Sequence, residues 1–375
     1  MNELLAVIYM NLGPYHLARM EALAKFHPDL LVIEIGAKHG IHPWRPKKED
    51  LSYNLETLFR KNVEEASARD QKIAVRACLR TYQPKAVVVS SYRQPAMRAA
   101  AKWARKESLT NVLLFVSTKM DHRRFWWREL LKRLFIKSKF SRFAVAGQRS
   151  AQYAQHLGIR EEMISVIGNV VDNRRIRELT SSFQADKATF RKRLSLPEDF
   201  FLYVGRLSAE KNLVPLIDAF SDYRNLGGRW DLVIIGSGPD KTLLKSRADC
   251  KAGRDIHFLG WKQFDDLIAH YSLANALILP SLSETWGLVV NEGMCCGLPV
   301  LVSRNCGCVP ELCQDKVNAL TFDPLDKRGL TQSMLSLSSG EFNLDAMGQR
   351  SLEMIEAYTP ETWAQGLLKA VGLGA

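Results

Sequence analysis

Short apolar runs of strand length alternate with longer stretches of helical periodicity along most of this chain. Runs at 4–9, 30–35, 86–89, 112–116, 143–147 and 164–172 predict strands in the first half. Between them, 17–25, 55–82, 95–106 and 150–157 predict helices. The second half restarts the pattern, with strands at 200–205, 230–235, 256–261, 277–279, 300–302 and 319–322. Helices are predicted from 212, over 265–272, from 287 and over 330–358, with a last one opened by Thr359 as N-cap and Pro360 at its first position. Strand–helix alternation of this kind implies parallel sheets, so the fold class is α/β with two doubly wound, Rossmann-like domains. Residues 1–175 form the first. The polar, charged stretch 176–198 reads as a linker with a connecting helix, and 199–358 forms the second. The segment 36–53, rich in His, Pro, Trp and Lys, reads as a long irregular loop. His39 and His42 lie in it, with no third ligand nearby for a metal.

Composition narrows the picture. At 375 residues and 46% hydrophobic, the chain can bury two separate cores. Its formal net charge of +12 calls for an acidic partner: phosphorylated substrates, an anionic membrane surface or nucleic acid. No run approaches the ~18 apolar residues that cross a bilayer. Residues 1–3 carry no basic leader, and the seven cysteines are an odd number. A reduced, cytoplasmic setting is the expectation. One segment is unusual. Residues 122–140 interleave aromatics with Arg and Lys, and Trp127, Leu130, Leu131, Leu134 and Phe135 share one helical face. That face suits an interfacial helix on anionic lipid, or a core-packing helix with a solvated basic back. A nucleic-acid reading lacks any accompanying helix-turn-helix, zinc or stacking motif.

The chemistry concentrates between 276 and 312. A buried strand ends at Pro280. A polar loop carries Glu284, Gly287 opens a helix that continues through Leu288 and Val289, and Glu292 falls in its second turn. Ligands of open α/β sheets bind at strand carboxyl ends beside helix amino termini, so the two carboxylates bracket a phosphate position. Upstream, Gly205 ends a strand, and Arg206 and Lys211 stand in the loop that follows, a planar fork and a point charge suited to a diphosphate. Gly236 and Gly238 end the next strand and allow a close backbone approach to a ligand. Gly13 and His16 occupy the first strand–helix turn, which lacks the second and third glycines of a dinucleotide fingerprint. Cys306, Cys308 and Cys313 are poorly spaced for zinc and read as small, half-buried thiols.

Pro280, Glu284, Trp286-Gly287, Glu292-Gly293, the G-L-P-V at 297–300 and Pro310-Glu311 resemble the E-x7-E signature of retaining GT-B glycosyltransferases of family 4. The G-R-L at 205–207 with Lys211-Asn212, and the run at 166–172, resemble the same family. The resemblance implies two domains facing a central cleft, with a C-terminal helix, 360–375, crossing back onto the first. It implies a metal-independent transfer of a sugar from a UDP- or GDP-sugar to a hydroxyl acceptor in polysaccharide, lipopolysaccharide or glycolipid synthesis. No cofactor is implied, and no Asp-x-Asp occurs. Arg206 and Lys211 would neutralise the leaving diphosphate. Glu284 would face the sugar and Glu292 the ribose, with Gly236, Gly238, Trp261, Gly287, Leu288 and Val289 completing the donor site. Gly13 would lie near the donor phosphate and His16 near the acceptor. The family's sugar-contacting His is displaced here, and Asp121 or His122 would substitute as acceptor base. The same fold also serves sugar-nucleotide epimerases and phosphorylases. A basic membrane- or nucleic-acid-binding protein with an inactive donor site is the reading from another class.

Overall fold

The computed structural model describes residues 3–38, 50–121, 125–251 and 253–373. They divide into two compact units, the first built from 3–119, 125–172 and 358–373, the second from 120–121 and 173–357.

The first unit runs β1 (Leu5–Tyr9), α1 (Pro14–Phe26), β2 (Leu30–Lys38), β3 (Asn54–Asn62), α2 (Ala68–Tyr82), β4 (Ala86–Val89), α3 (Pro95–Lys106), β5 (Thr110–Phe115), α4 (Trp126–Lys139), β6 (Arg142–Val145), α5 (Gln148–His156) and β7 (Ile164–Val166). Its described strands form one parallel sheet in the order β3-β2-β1-β4-β5-β6-β7. Strand alternation supplies both faces. Ala6 and Ile8 enter one core, with the side chains of α2, α3 and α5, while Leu5, Val7 and Tyr9 enter the other with α1.

The second unit runs α6 (Asn173–Gln184), α7 (Lys187–Arg193), β8 (Phe200–Val204), α8 (Leu213–Asn225), β9 (Asp231–Ile235), α9 (Lys241–Lys251), β10 (Ile256–Gly260), α10 (Phe264–Leu273), β11 (Ala276–Leu279), α11 (Leu288–Cys295), β12 (Val300–Ser303), α12 (Val309–Leu312), β13 (Ala319–Phe322), α13 (Lys327–Ser338) and α14 (Leu344–Ile355). Its parallel sheet has the order β10-β9-β8-β11-β12-β13. The order reverses between β8 and β11, so the loops after those two strands flank a switch point. A final helix, α15 (Pro360–Val371), belongs to the first unit, where Trp363, Leu367 and Leu368 join the core that also holds α1.

Four predicted segments differ from the structure. Residues 55–82 are not one helix. Their first part is β3, an edge strand paired with β2 from Leu31↔Asn54 to Gly36↔Phe59 and, after a register shift, at Lys38↔Asn62, and only α2 is helical. The strand predicted over 164–172 stops at Val166. Beyond it Gly168 turns with φ +78°, and the carbonyl of Val170 accepts from the buried Arg19 (Nε, 3.1 Å) instead of from a strand neighbour. The linker at 176–198 is largely α6 and α7, grouped with the second unit. Residues 330–358 hold two helices, because Gly340 adopts φ +84° and Asn343 caps α14 by accepting from the Ala346 N–H at 3.0 Å. Among the described residues, no helix is long and apolar enough to cross a membrane.

Candidate active site

The second unit's switch point is laced together by backbone before any side chain is considered. The Leu282 N–H donates to the Glu210 carbonyl at 2.9 Å, joining the loops after β11 and β8. The Gly307 N–H donates to the Glu284 carbonyl (2.9 Å) and the Cys308 N–H to that of Trp286 (3.0 Å), joining the loops after β12 and β11. Glu284 therefore sits on a backbone held from both sides. Gly307 is required for this fit, since a Cβ there would stand 1.9 Å from the Thr285 carbonyl oxygen. The Trp286 indole N–H donates to Asn291 Oδ1 at 2.9 Å, with both residues buried, and ties the loop to α11.

Onto this frame the structure brings two of the expected residues into contact. The Lys211 ammonium pairs with Glu284 Oε2, each side chain about five-sixths buried, at 16% and 17% exposure. Arg206 is exposed on the same β8–α8 loop. Its carbonyl accepts from the Tyr203 hydroxyl at 2.9 Å, and burial pushes that phenol well above its ordinary pKa, with Glu284 and Glu210 adding to the effect. Burial raises the pKa of Glu210, but the Ser208 hydroxyl (2.5 Å) and the cations Lys211 and Arg206 hold it below the ordinary glutamate value. Asn212, which a sequence reading treats only as part of a motif, adopts φ +59° and donates to the Pro324 carbonyl at 2.8 Å, fixing the point where α8 begins.

Glu292 lies in the second turn of α11, only 3% exposed, and accepts from the Tyr271 hydroxyl of α10 at 2.5 Å. Gly287 caps α11 in the left-handed region, with Leu288 and Val289 half-buried after it. The close approach expected of Gly236 is made to a neighbouring loop: a Cβ there would stand 1.8 Å from the Gly205 carbonyl oxygen. Gly238 is packed similarly against the Leu207 carbonyl, and the Gly205 N–H donates to the Ile235 carbonyl at 3.0 Å. Gly236 in turn donates to the Gly260 carbonyl at 2.9 Å, and the half-buried Trp261 follows β10. These glycines thus bind the loops after β8, β9 and β10 into one rim. Cys306 and Cys308 are fully buried rather than half-buried, and burial raises the Cys308 thiol well above its usual range. Among the described residues, no group of three or more His, Cys, Asp or Glu could hold a metal ion.

The remaining candidates lie elsewhere. Gly13 and His16 belong to the first unit, where Gly13 is the N-cap of α1 and its N–H donates to His16 Nδ1 at 3.0 Å. The His16 ring packs on Tyr9 with centroids 4.4 Å apart. The loop before them depends on a residue the strand pattern hides. Glu34 of β2 is fully buried, accepting from the Leu12 N–H (2.8 Å) and the Thr57 hydroxyl (3.1 Å). Its signal in the sequence is a lone charge inside an apolar run. Asp121 groups with the second unit, its carbonyl accepting from the Ser283 hydroxyl at 3.0 Å, next to Glu284. His122, His39 and His42 lie outside the described residues.

Residues 185–354, all within the second unit, match the family "Glycosyl transferases group 1". The second unit is similar to that family over most of its length. Among proteins similar to this chain is an uncharacterized glycosyltransferase of Methanocaldococcus jannaschii, 28% identical over 46% of this chain and 47% of its own length. Another is the GDP-mannose-dependent alpha-(1-6)-phosphatidylinositol dimannoside mannosyltransferase of Mycobacterium tuberculosis, 30% identical over 62% of this chain and 60% of that protein. The chain therefore spans about half of the length of these relatives. Among solved structures, Anabaena HepE in complex with UDP-glucose superposes with TM-score 0.78 at 16% identity, covering 98% of this chain and 99% of that one. At that identity the likeness establishes the fold, which is GT-B.

Proposed function

We propose that this chain is a retaining glycosyltransferase of family 4 that moves a sugar from a UDP- or GDP-sugar to a hydroxyl acceptor, without a metal. The observation that carries the reading is the pairing of Lys211 with Glu284 across the β8/β11 switch point, with Arg206 on the same loop. A cation and a carboxylate held in contact at a strand-end phosphate position suit a donor with both a diphosphate and a polyhydroxy ring. The diphosphate draws on Lys211, Arg206 and the amino terminus of α11. As Lys211 turns to it, Glu284 is left to accept hydrogens from sugar hydroxyls. Glu292 takes the ribose role, its carboxylate oriented by Tyr271. Gly205, Gly236, Gly238, Trp261, Gly287, Leu288 and Val289 complete the donor rim. Asp121 is the acceptor-side carboxylate beside Ser283, Gly13 serves the donor phosphate, and His16 with His122 serves the acceptor.

The GDP-mannose dependence of the mycobacterial relative and the UDP-glucose bound to the Anabaena protein support a nucleoside-diphosphate donor. The phosphatidylinositol-based substrate in the relative's name supports a saccharide or lipid-linked acceptor.

The test is a thermal-shift and slow-hydrolysis screen over UDP-, GDP- and ADP-sugars. One UDP- or GDP-sugar is expected to stabilise the protein and to be hydrolysed slowly. Failure of every sugar nucleotide to stabilise it sinks the donor site. Glu284→Gln should lower kcat by ~10²-fold or more, in line with other oriented electrostatic groups, and unchanged turnover removes its assigned role.

A further inference from the structure

Helix α4 is mounted the wrong way round for a soluble surface helix. Two of its polar side chains, Glu129 and Lys132, face the first unit. The Lys132 ammonium sits over the rings of Tyr153 (4.3 Å), Tyr92 (5.0 Å) and Phe115 (5.4 Å), and donates to the Tyr153 hydroxyl at 2.9 Å. That hydroxyl donates to Glu129 at 2.6 Å. Ile136 is buried on the same side, and Arg98 covers the Phe135 ring at 4.6 Å. The apolar stripe points to water: Trp126 is 80% exposed, Leu131 and Leu134 are each 59% exposed, and Leu130 and Trp127 are nearly half exposed. The core-packing alternative drawn from the sequence is therefore not what the fold does with this face. Two large aromatics and three leucines on one exposed helix face form a patch that soluble monomers seldom carry.

The charges on that face choose the occupant. The helix has one acid, Glu129, and it is turned inward onto Tyr153. Arg128, Arg133 and Lys137 stay exposed beside the leucines, and the Arg128 guanidinium lies 4.9 Å over the Trp127 ring. A second copy of this chain would bring the same cations together with no acid to answer them. A nucleic acid would use the cations and stack on the tryptophans, but would leave three leucines in water. An anionic lipid surface satisfies both sets, taking the leucines and tryptophans into its interfacial layer and the cations at its headgroups.

We propose that α4 docks this protein onto anionic lipid through its outward apolar stripe and the flanking cations. The surface is described within the first unit and does not rest on the donor-site reading, so failure of the nucleotide screen leaves it standing.

The test is co-flotation of the full chain with phosphatidylglycerol-containing vesicles and with pure phosphatidylcholine vesicles. Binding is expected to the anionic vesicles, at least 10-fold weaker to neutral ones, and weaker as salt rises. Trp126→Ser with Leu131→Ser, and separately Arg128→Glu with Lys137→Glu, should each reduce anionic binding at least 10-fold. Both pairs change exposed side chains, so the melting temperature is expected to stay within a few degrees of wild type, which separates lost docking from lost folding. Absence of wild-type binding to anionic vesicles overturns the proposal. So does undiminished binding by both variant pairs. Sedimentation that shows a dimer abolished by the Trp126→Ser, Leu131→Ser pair also overturns it, by assigning the stripe to a second copy.

Discussion

At the residue scale, the switch point is held by contacts that leave no room for side chains, and this makes a sharp prediction. Gly307→Ala would put a methyl group 1.9 Å from the Thr285 carbonyl, a backbone atom that cannot rotate away. The loop after β12 must retreat, loosening the bond from the Gly307 N–H to the Glu284 carbonyl. The expected cost is about 1–3 kcal/mol, the range for overpacking a fitted site, read as a lower urea midpoint with unchanged slope. Turnover should fall as well, since the loop carrying Glu284 loses the partner that holds it; a variant as stable as wild type would show that the loop relaxes at no cost. Glu284 and Lys211 stood out as candidates by residue type and order, and the structure brings them together. That they would pair was not legible, because 73 residues separate them and only the sheet order joins the two loops. Gly236 and Gly238 were legible as close-approach glycines. That they also press against the backbone of a neighbouring loop depends on where that loop runs, which local pattern does not encode.

At the element scale, periodicity identified most helices and strands and failed where tertiary pairing overruled it. Leu55, Leu58 and Phe59 recur at helical spacing among Glu, Lys and Arg, all sound helix formers. Pairing with β2 nevertheless draws 54–62 into the sheet, where burial on the pleat outweighs a propensity of a few tenths of a kcal/mol per residue. Helix α15 was legible from its cap alone: the Thr359 hydroxyl accepts from the Thr362 N–H at 3.2 Å, and the helix starts at Pro360. Its energetic weight lies in Trp363, 2% exposed, with the Arg19 guanidinium 5.7 Å from its ring. Trp363→Ala should cost about 3–5 kcal/mol, the usual range for a buried tryptophan, as a lower denaturation midpoint of the first unit. A loss below about 1 kcal/mol would mean that α15 is only loosely held in that core.

At the scale of the whole molecule, the two units have separate sheets and separate buried cores, so heating should resolve two transitions. Trp363→Ala identifies one of them, because its destabilisation falls on the first unit. The proposed donor residues Arg206, Lys211, Glu284 and Glu292 all belong to the second. A ligand that binds only the folded form stabilises by RT ln(1 + [L]/Kd), about 2.7 kcal/mol at a hundredfold excess over Kd. For a unit of this size that is roughly 5–10 °C. The matching sugar nucleotide should therefore raise the transition that Trp363→Ala leaves alone, and Glu284→Gln should shrink the rise. Calorimetry with and without nucleotide, on wild type and both variants, gives three comparisons that must agree. If the nucleotide raises the Trp363-marked transition instead, the principal donor contacts belong to the first unit, and the Lys211–Glu284 pair is a structural ion pair rather than a binding site.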